Sequence, residues 1–222
     1  MIVVDCVQRS PEWVSARLGK LTASCASDML ATLKDPKKEA AGRRNLRIRL
    51  VLERVTGKPQ EAGFVSTAME QGMSREADAA SLYEGLTGNL LTSVGFYQHD
   101  TLQAGCSPDG IIGNVWAPEG LVEVKSPIPA THMDYLRSGV IPGDYQKQIL
   151  AQLWISGAQW CDWLSYNPDF PEPLRVKLVR VERKQVEIDA FELLARQFIS
   201  EVDAEVAEIE RMAGVPALRG QE

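Results

Sequence analysis

The chain has 222 residues, 45% hydrophobic and 24% charged, with a net charge of −6 and a pI near 5.1. These values suit one domain over 1–222 with a real core and argue against a general nucleic-acid coat protein, which would be basic. No apolar run reaches the length of a membrane span and Met1–Ser10 lacks a secretory pattern, so a cytoplasmic protein with no membrane partner is expected.

Pro11–Leu18 reads as a short helix stopped at Gly19. Thr22 or Ser24 would cap the next helix, which runs through Met29 and Leu30. Residues 34–42 are polar, with Pro36 and Gly42, and read as a loop. Arg43–Thr56 places Leu46, Leu50, Val51 and Val55 at helical spacing before Gly57. Ala68–Leu86 is a further helix, with Met69, Met73, Ala77, Ala80 and Tyr83 near one stripe. Then the period changes: 93–97, 103–106 and 110–115 read as short strands, and Leu121–Lys125 as a strand by alternation. Residues 144–156 return to helix, Trp160–Tyr166 and Arg175–Glu182 to strand. Asp189–Met212 is a long amphipathic helix with Phe191, Leu194, Phe198, Val202, Val206 and Ile209 on one face. This order predicts an α/β or α+β layered domain with a mixed β-sheet flanked by helices.

Cys6, Cys25, Cys106 and Cys161 are isolated, which argues against a zinc ribbon or iron–sulfur site and suits small buried thiols in a reducing compartment. With only His99 and His132, any catalytic metal must be held mainly by oxygen. The tryptophans Trp13, Trp116, Trp154, Trp160 and Trp163 are most simply core residues.

The chemistry concentrates in Ser107-Pro108-Asp109-Gly110 and Glu123-Val124-Lys125, with thirteen residues between Asp109 and Glu123. On a strand, Glu123 and Lys125 share one face, while Val122 and Val124 share the other. Charge on a buried strand needs a partner or a metal. A hairpin through Gly110, Gly113, Pro118 and Gly120 would bring Asp109 beside Glu123, forming a hard-oxygen pocket suited to Mg²⁺. Lys125 would then orient the attacking water or help deprotonate it. Glu-x-Lys alone, or Pro-Asp-Gly alone, carries little weight; their order and spacing carry the reading.

Pro108-Asp109 … Glu123-Val124-Lys125 matches the PD-(D/E)xK nuclease signature, and the surrounding sequence resembles the phage lambda exonuclease family of viral alkaline exonucleases and recombinases. The matching blocks are Trp13 … Arg17-Leu18-Gly19 with Thr22-Ala23-Ser24; Gly72 with Glu76; Cys106-Ser107-Pro108-Asp109-Gly110; Glu123-Val124-Lys125; and Tyr145 with Gln148. They run in the family's order over roughly 11–166.

The resemblance implies a restriction-endonuclease-like core and a Mg²⁺-dependent exonuclease (Mn²⁺ a possible substitute) with two ions per active site. Such an enzyme degrades one strand of duplex DNA from the 5′ end to mononucleotides, leaving 3′ overhangs for recombination. It implies Asp109, Glu123 and the Val124 carbonyl as metal ligands, Lys125 as the catalytic lysine, and Glu76 as the helix-borne acid near the metals. Arg17, Ser24 and Ser107 match positions that contact the 5′-phosphate or DNA backbone, and Tyr145 and Gln148 match the helix that closes the site. A ring-shaped homotrimer around double-stranded DNA and a single-strand annealing protein as partner are implied as well. The basic and aromatic residues that family members carry just before the Glu76 helix are not evident.

Taken alone, several of these residues have ordinary readings. Glu76 is by itself a surface acid, Arg17 a salt-bridged arginine and Ser24 a helix cap. Tyr145, Gln148 and Gln152 share a helix face opposite Ile149 and Leu153, which suits either a cleft or solvent. Arg43, Arg44, Arg47 and Arg49 suit DNA-backbone contact or a solvated face, and Met69 a wedge between terminal bases or the core. Two rival functions stand beside the exonuclease. A structure-specific endonuclease or resolvase on the same fold would cut closed circles. A catalytically silent DNA-binding module would bind without metal-dependent cleavage.

Overall fold

The computed structural model describes residues 1–35, 37–60 and 67–214, and for 67–74 the backbone alone. In chain order the elements are β1 (Ile2–Val4), α1 (Pro11–Arg17), β2 (Leu21–Thr22), a 3-10 turn (Ala23–Cys25), α2 (Ala26–Met29), α3 (Ala41–Thr56), α4 (Thr67–Thr87), β3 (Phe96–Gln98), β4 (Ala104–Cys106), β5 (Gly110–Asn114), β6 (Ala117–Lys125), α5 (Pro129–Ser138), α6 (Gly143–Ser156), β7 (Trp160–Tyr166), β8 (Val176–Glu182) and α7 (Gln185–Met212). The strands form two four-stranded sheets, in the orders β1-β3-β4-β2 and β5-β6-β7-β8. Both are mixed: β6 and β7 are parallel, β7 and β8 antiparallel, and β2 and β4 parallel.

Alternation decides which side of β6 faces what. Val122 and Val124 pack with Leu164, Tyr166, Ala79 and Tyr83, on the α4 side. Leu121, Cys161 and Trp163 join α6 and α7 through Ile149, Leu153, Phe191, Phe198 and Val202. Tyr97, Ala104 and Cys106 of the other sheet belong to that same core. The β5–β6 hairpin carries a bulge at Ile112/Gly113, where Gly113 has φ +90°, a conformation that costs glycine little. Gly120 pairs with Trp160, and a Cβ on Gly120 would lie 2.3 Å from the indole ring, so the two strands approach only with glycine there.

The expected helices and strands are present within a few residues of their predicted limits, with four differences. The predicted helix after Thr22 is a two-residue strand, a 3-10 turn and one helical turn, and Thr22 makes no capping bond. β6 begins at Ala117, because hairpin pairing with β5 extends it past Pro118 and Gly120. β1 and α5 were not anticipated; α5 has Pro129 in its first turn and Gly139 at φ +64° just past its end, a start and stop that frame weak apolar periodicity. On α7, Ile188, Ala195 and Ile199 line the core with Phe191, Phe198 and Val202, while Leu194 is exposed.

Cys25, Cys106 and Cys161 are buried, Cys6 is partly so, and all four are unpaired thiols. Four tryptophans are buried or half-buried, but Trp116, at the tip of the β5–β6 hairpin, is 68% exposed. Met69 as a wedge, and the segment just before the Glu76 helix, fall on side chains outside the described residues.

Candidate active site

The hairpin brings the two carboxylates together. Asp109 N donates to Val122 O at 3.1 Å, and Val124 N donates to Asp109 Oδ2 at 2.7 Å. The Asp109 side chain thus caps the main chain of β6 between the residues that bear Glu123 and Lys125. Glu123 is 2% exposed. Its Oε1 accepts from Gln148 Nε2 at 2.7 Å and from Lys125 Nζ, and its Oε2 accepts from Gln152 Nε2 at 2.6 Å. The Lys125 ammonium also lies 5.0 Å from the centre of the Tyr145 ring. Tyr145, Gln148 and Gln152 therefore form one inward face of α6, and the polar stripe is a wall of the site.

Burial first, then the Glu123 charge, pushes the Asp109 carboxyl well above the usual carboxylate range; Glu76 adds to this, while Lys125 and the Val124 amide oppose it. For Lys125, burial works against the charge, but Glu123 and Asp109 outweigh it and hold the ammonium above its ordinary pKa. Lys125 is thus a fixed cation that can orient a water or steady an anion, and a poor proton acceptor.

Among the described residues no three His, Cys, Asp or Glu side chains converge as a metal cage. The two acids do sit together with a single ammonium, and a divalent cation would relieve their mutual repulsion. Their oxygens, with the Val124 carbonyl, would offer hard donors of the kind that suit Mg²⁺ or Mn²⁺. Glu76, on α4, is held by Arg9 Nη2 at 2.6 Å. Arg9, Glu76 and Asp109 line one cavity of about 630 Å³, with Val115 and Trp116 at the hairpin tip.

A second cluster lies at the end of α1. The Arg17 guanidinium sits 4.0 Å over the Trp13 ring. Burial, and the like charge of Arg49, pull its pKa down, and it feels the thiols of Cys25 and Cys106. Trp13 Nε1 donates to Ser107 Oγ at 2.8 Å, and that hydroxyl donates to Gly95 O at 2.8 Å. Ser107 would have to rotate to donate to a phosphate. Ser24 is exposed and shares a 3.2 Å hydrogen bond with Thr22 Oγ1.

Two arginines of the α3 basic cluster are engaged by carboxylates. Arg43 pairs with Glu39 and Glu201 at 2.7 Å each, and Arg47 pairs with Glu39 at 2.7 Å and with Glu205. These pairs fasten α3 to α7. Arg49 donates to Cys25 Sγ at 2.9 Å. Gln152 reaches Glu123 from the helix face it shares with Tyr145 and Gln148. Arg9 carries no signal in the sequence, because its neighbour Glu76 is 67 residues away.

A family model described as a YqaJ-like viral recombinase domain matches residues 12–159. No curated protein matches the sequence. The crystal structure of an alkaline exonuclease from Laribacter hongkongensis is similar over 92% of this chain and 98% of its own, with 33% identity and a TM-score of 0.82. The structure of that exonuclease in complex with dAMP gives the same values. A phage-related exonuclease from Haemophilus somnus 129PT, at 12% identity and a TM-score of 0.64, covers 86% of this chain and 96% of its own, and shares the fold. The architecture is that of the restriction-endonuclease-like fold.

Proposed function

Because the chain belongs to the YqaJ-like viral recombinase domain family, we propose that it is a divalent-metal-dependent DNA exonuclease, one domain over 1–222. It would remove nucleotides from the 5′ end of one strand of linear duplex DNA and leave 3′ overhangs. The observation that carries this reading is the bond from Val124 N to Asp109 Oδ2, which fixes the turn's carboxylate against the strand bearing Glu123 and Lys125.

Asp109, Glu123 and the Val124 carbonyl would hold the cation, Mg²⁺ or in its place Mn²⁺, with Glu76 ordering a second ion or its water. Bound there, a divalent cation offsets negative charge on the reacting phosphate and acidifies water. Gln148 and Gln152 hold Glu123 in one orientation and supply hydrogen bonds to both its oxygens. Lys125, kept protonated by its neighbours, positions the water that attacks phosphorus as the terminal nucleotide's O3′ departs. Tyr145 flanks the ammonium, its ring centre 5.0 Å away. Arg17 would offer a guanidinium fork to a terminal 5′-phosphate, with Ser24 and Ser107 as further contacts, so that ends are accepted and internal bonds are not.

A homotrimeric ring around the DNA, a single-strand annealing protein as partner, and action in the cytoplasm of a bacterium or phage-infected cell belong to the same proposal. Among the described residues no helix is long and apolar enough to cross a membrane. The test is digestion of 5′-phosphorylated linear duplex, 5′-hydroxyl duplex and covalently closed circles, with Mg²⁺ and with EDTA, beside Lys125→Ala. Mononucleotides from the linear 5′-phosphorylated duplex alone, lost in EDTA and in the variant, support the exonuclease. Cleaved circles point to an endonuclease, and DNA binding without cleavage points to a binding module.

A further inference from the structure

Ser10 N donates to Val7 O at 3.0 Å, closing a tight turn over Val7–Ser10. Arg9, the third residue of that turn, has φ +72° and is the one non-glycine with positive φ among the described residues. A turn of this kind favours glycine at its third position, because a Cβ there crowds the backbone. An arginine kept there at that cost points to a use for its side chain.

The turn is anchored toward the reaction centre. Gln8 Nε2 donates to Val94 O and to Pro108 O, both at 2.9 Å, which ties the turn to the residue before Asp109. Ser10 Oγ accepts from Trp13 N at 3.2 Å and caps α1. Held from both sides, Arg9 reaches Glu76 at 2.6 Å. Among the described residues it is the single cation lining the cavity, whose other charges are Asp5, Glu76 and Asp109. The Arg9 and Glu76 side chains are 44% and 36% exposed, so their pairing adds little stability and can be exchanged.

We infer that Arg9 is a phosphate-binding residue of the reaction centre: it rests on Glu76 and turns its guanidinium to a backbone phosphate when a DNA strand enters the cavity. A polyanion entering among three carboxylates needs a cation at the wall, and the arginine fork matches two phosphate oxygens. The inference rests on the nuclease reading.

The test uses Arg9→Gly and Arg9→Lys in the full chain. Affinity for a 5′-phosphorylated duplex is measured by fluorescence anisotropy with Ca²⁺ replacing Mg²⁺, across a salt series, together with Tm. Arg9→Gly is expected to keep or raise Tm, weaken binding by about ten-fold and lower the salt slope by about one, with Arg9→Lys between it and the parent. Unchanged affinity and salt slope in Arg9→Gly would overturn the inference. If Tm and affinity fall together, the salt slope decides: a slope lowered by about one in Arg9→Gly and restored by Arg9→Lys supports the inference, and an unchanged slope overturns it. If the parent protein neither binds nor cuts DNA, the nuclease reading itself fails.

Discussion

Gln152 donates its side-chain amide to Glu123 Oε2 at 2.6 Å, and both residues are buried, at 0% and 2% exposure. The helix wall and the acidic strand are joined there by one bond out of reach of water. Gln152→Leu would leave a buried carboxylate oxygen short of a donor, at about 1–3 kcal/mol, or roughly 2–12 °C in Tm for a chain of this size. The loss should be accompanied by about ten-fold or greater weakening of Mg²⁺ dependence or affinity. Thermal unfolding and isothermal titration with Mg²⁺ check the two effects, and an unchanged Tm would contradict the buried bond.

Asp109 and Glu123 repel each other across the hairpin, with Lys125 as their shared counter-ion. Asp109→Asn keeps an acceptor for Val124 N and removes one charge. In EDTA it should unfold at a higher temperature than the parent protein, while losing at least about a hundred-fold in cleavage rate, the scale of removing a group that stabilises developing charge. Lys125→Ala should be equally inactive but less stable, because it deprives Glu123 of its cation. Melting curves in EDTA beside a nuclease assay separate the two variants by sign.

The Arg17 guanidinium is half-buried over Trp13, beside the Ser107 hydroxyl that Trp13 holds. Arg17→Ala should raise KM for 5′-phosphorylated duplex by about ten-fold or more, the size of a lost charge-assisted hydrogen bond. It should leave 5′-hydroxyl duplex nearly unaffected. A ratio of the two KM values that does not change on substitution removes Arg17 from end recognition.

On the other face of the sheet, Tyr83 Oη donates to Asp162 Oδ2 at 2.8 Å, and Arg180 holds both oxygens of that aspartate at 2.8 Å. Burial, then the Asp162 carboxylate, pushes the Tyr83 hydroxyl up to about 12. The folded state therefore keeps a proton that the unfolded chain releases near pH 10, and its contribution is present below about pH 10 and lost as pH rises toward about 12. Tyr83→Phe should cost about 1 kcal/mol at pH 8 and flatten the alkaline limb of the stability curve, with kcat unaltered. Urea unfolding at a series of pH values tests it, and an alkaline limb identical to that of the parent protein would count against it.

The order of elements and the pairing of Asp109 with Glu123 were legible because they rest on local rules. Helices α3, α4, α6 and α7 announce themselves by apolar periodicity, and β6 by alternation that puts Glu123 and Lys125 on one side. The turn at Pro108–Gly110 and the strand that follows require a hairpin, and the hairpin alone carries one carboxylate to the other. Less was legible where pairing overrides the pattern. Pro118 and Gly120 do not read as strand, yet β5 recruits them into β6. β1 is three residues that gain order by lying beside β3.

What the sequence by itself determined is the chemistry on offer: two acids, a lysine and a helix face of Tyr145, Gln148 and Gln152, each set by spacing of only a few residues or one turn. Only the tertiary structure decided which groups meet across long stretches of chain. It spent Arg43 and Arg47 on Glu39, Glu201 and Glu205 to hold two helices together, left Trp116 in the open, and set Arg9 against Glu76. The reason is physical. Periodicity encodes which side of an element is apolar, but the partner of a charged side chain depends on how whole elements pack, and packing is written in no short window of sequence.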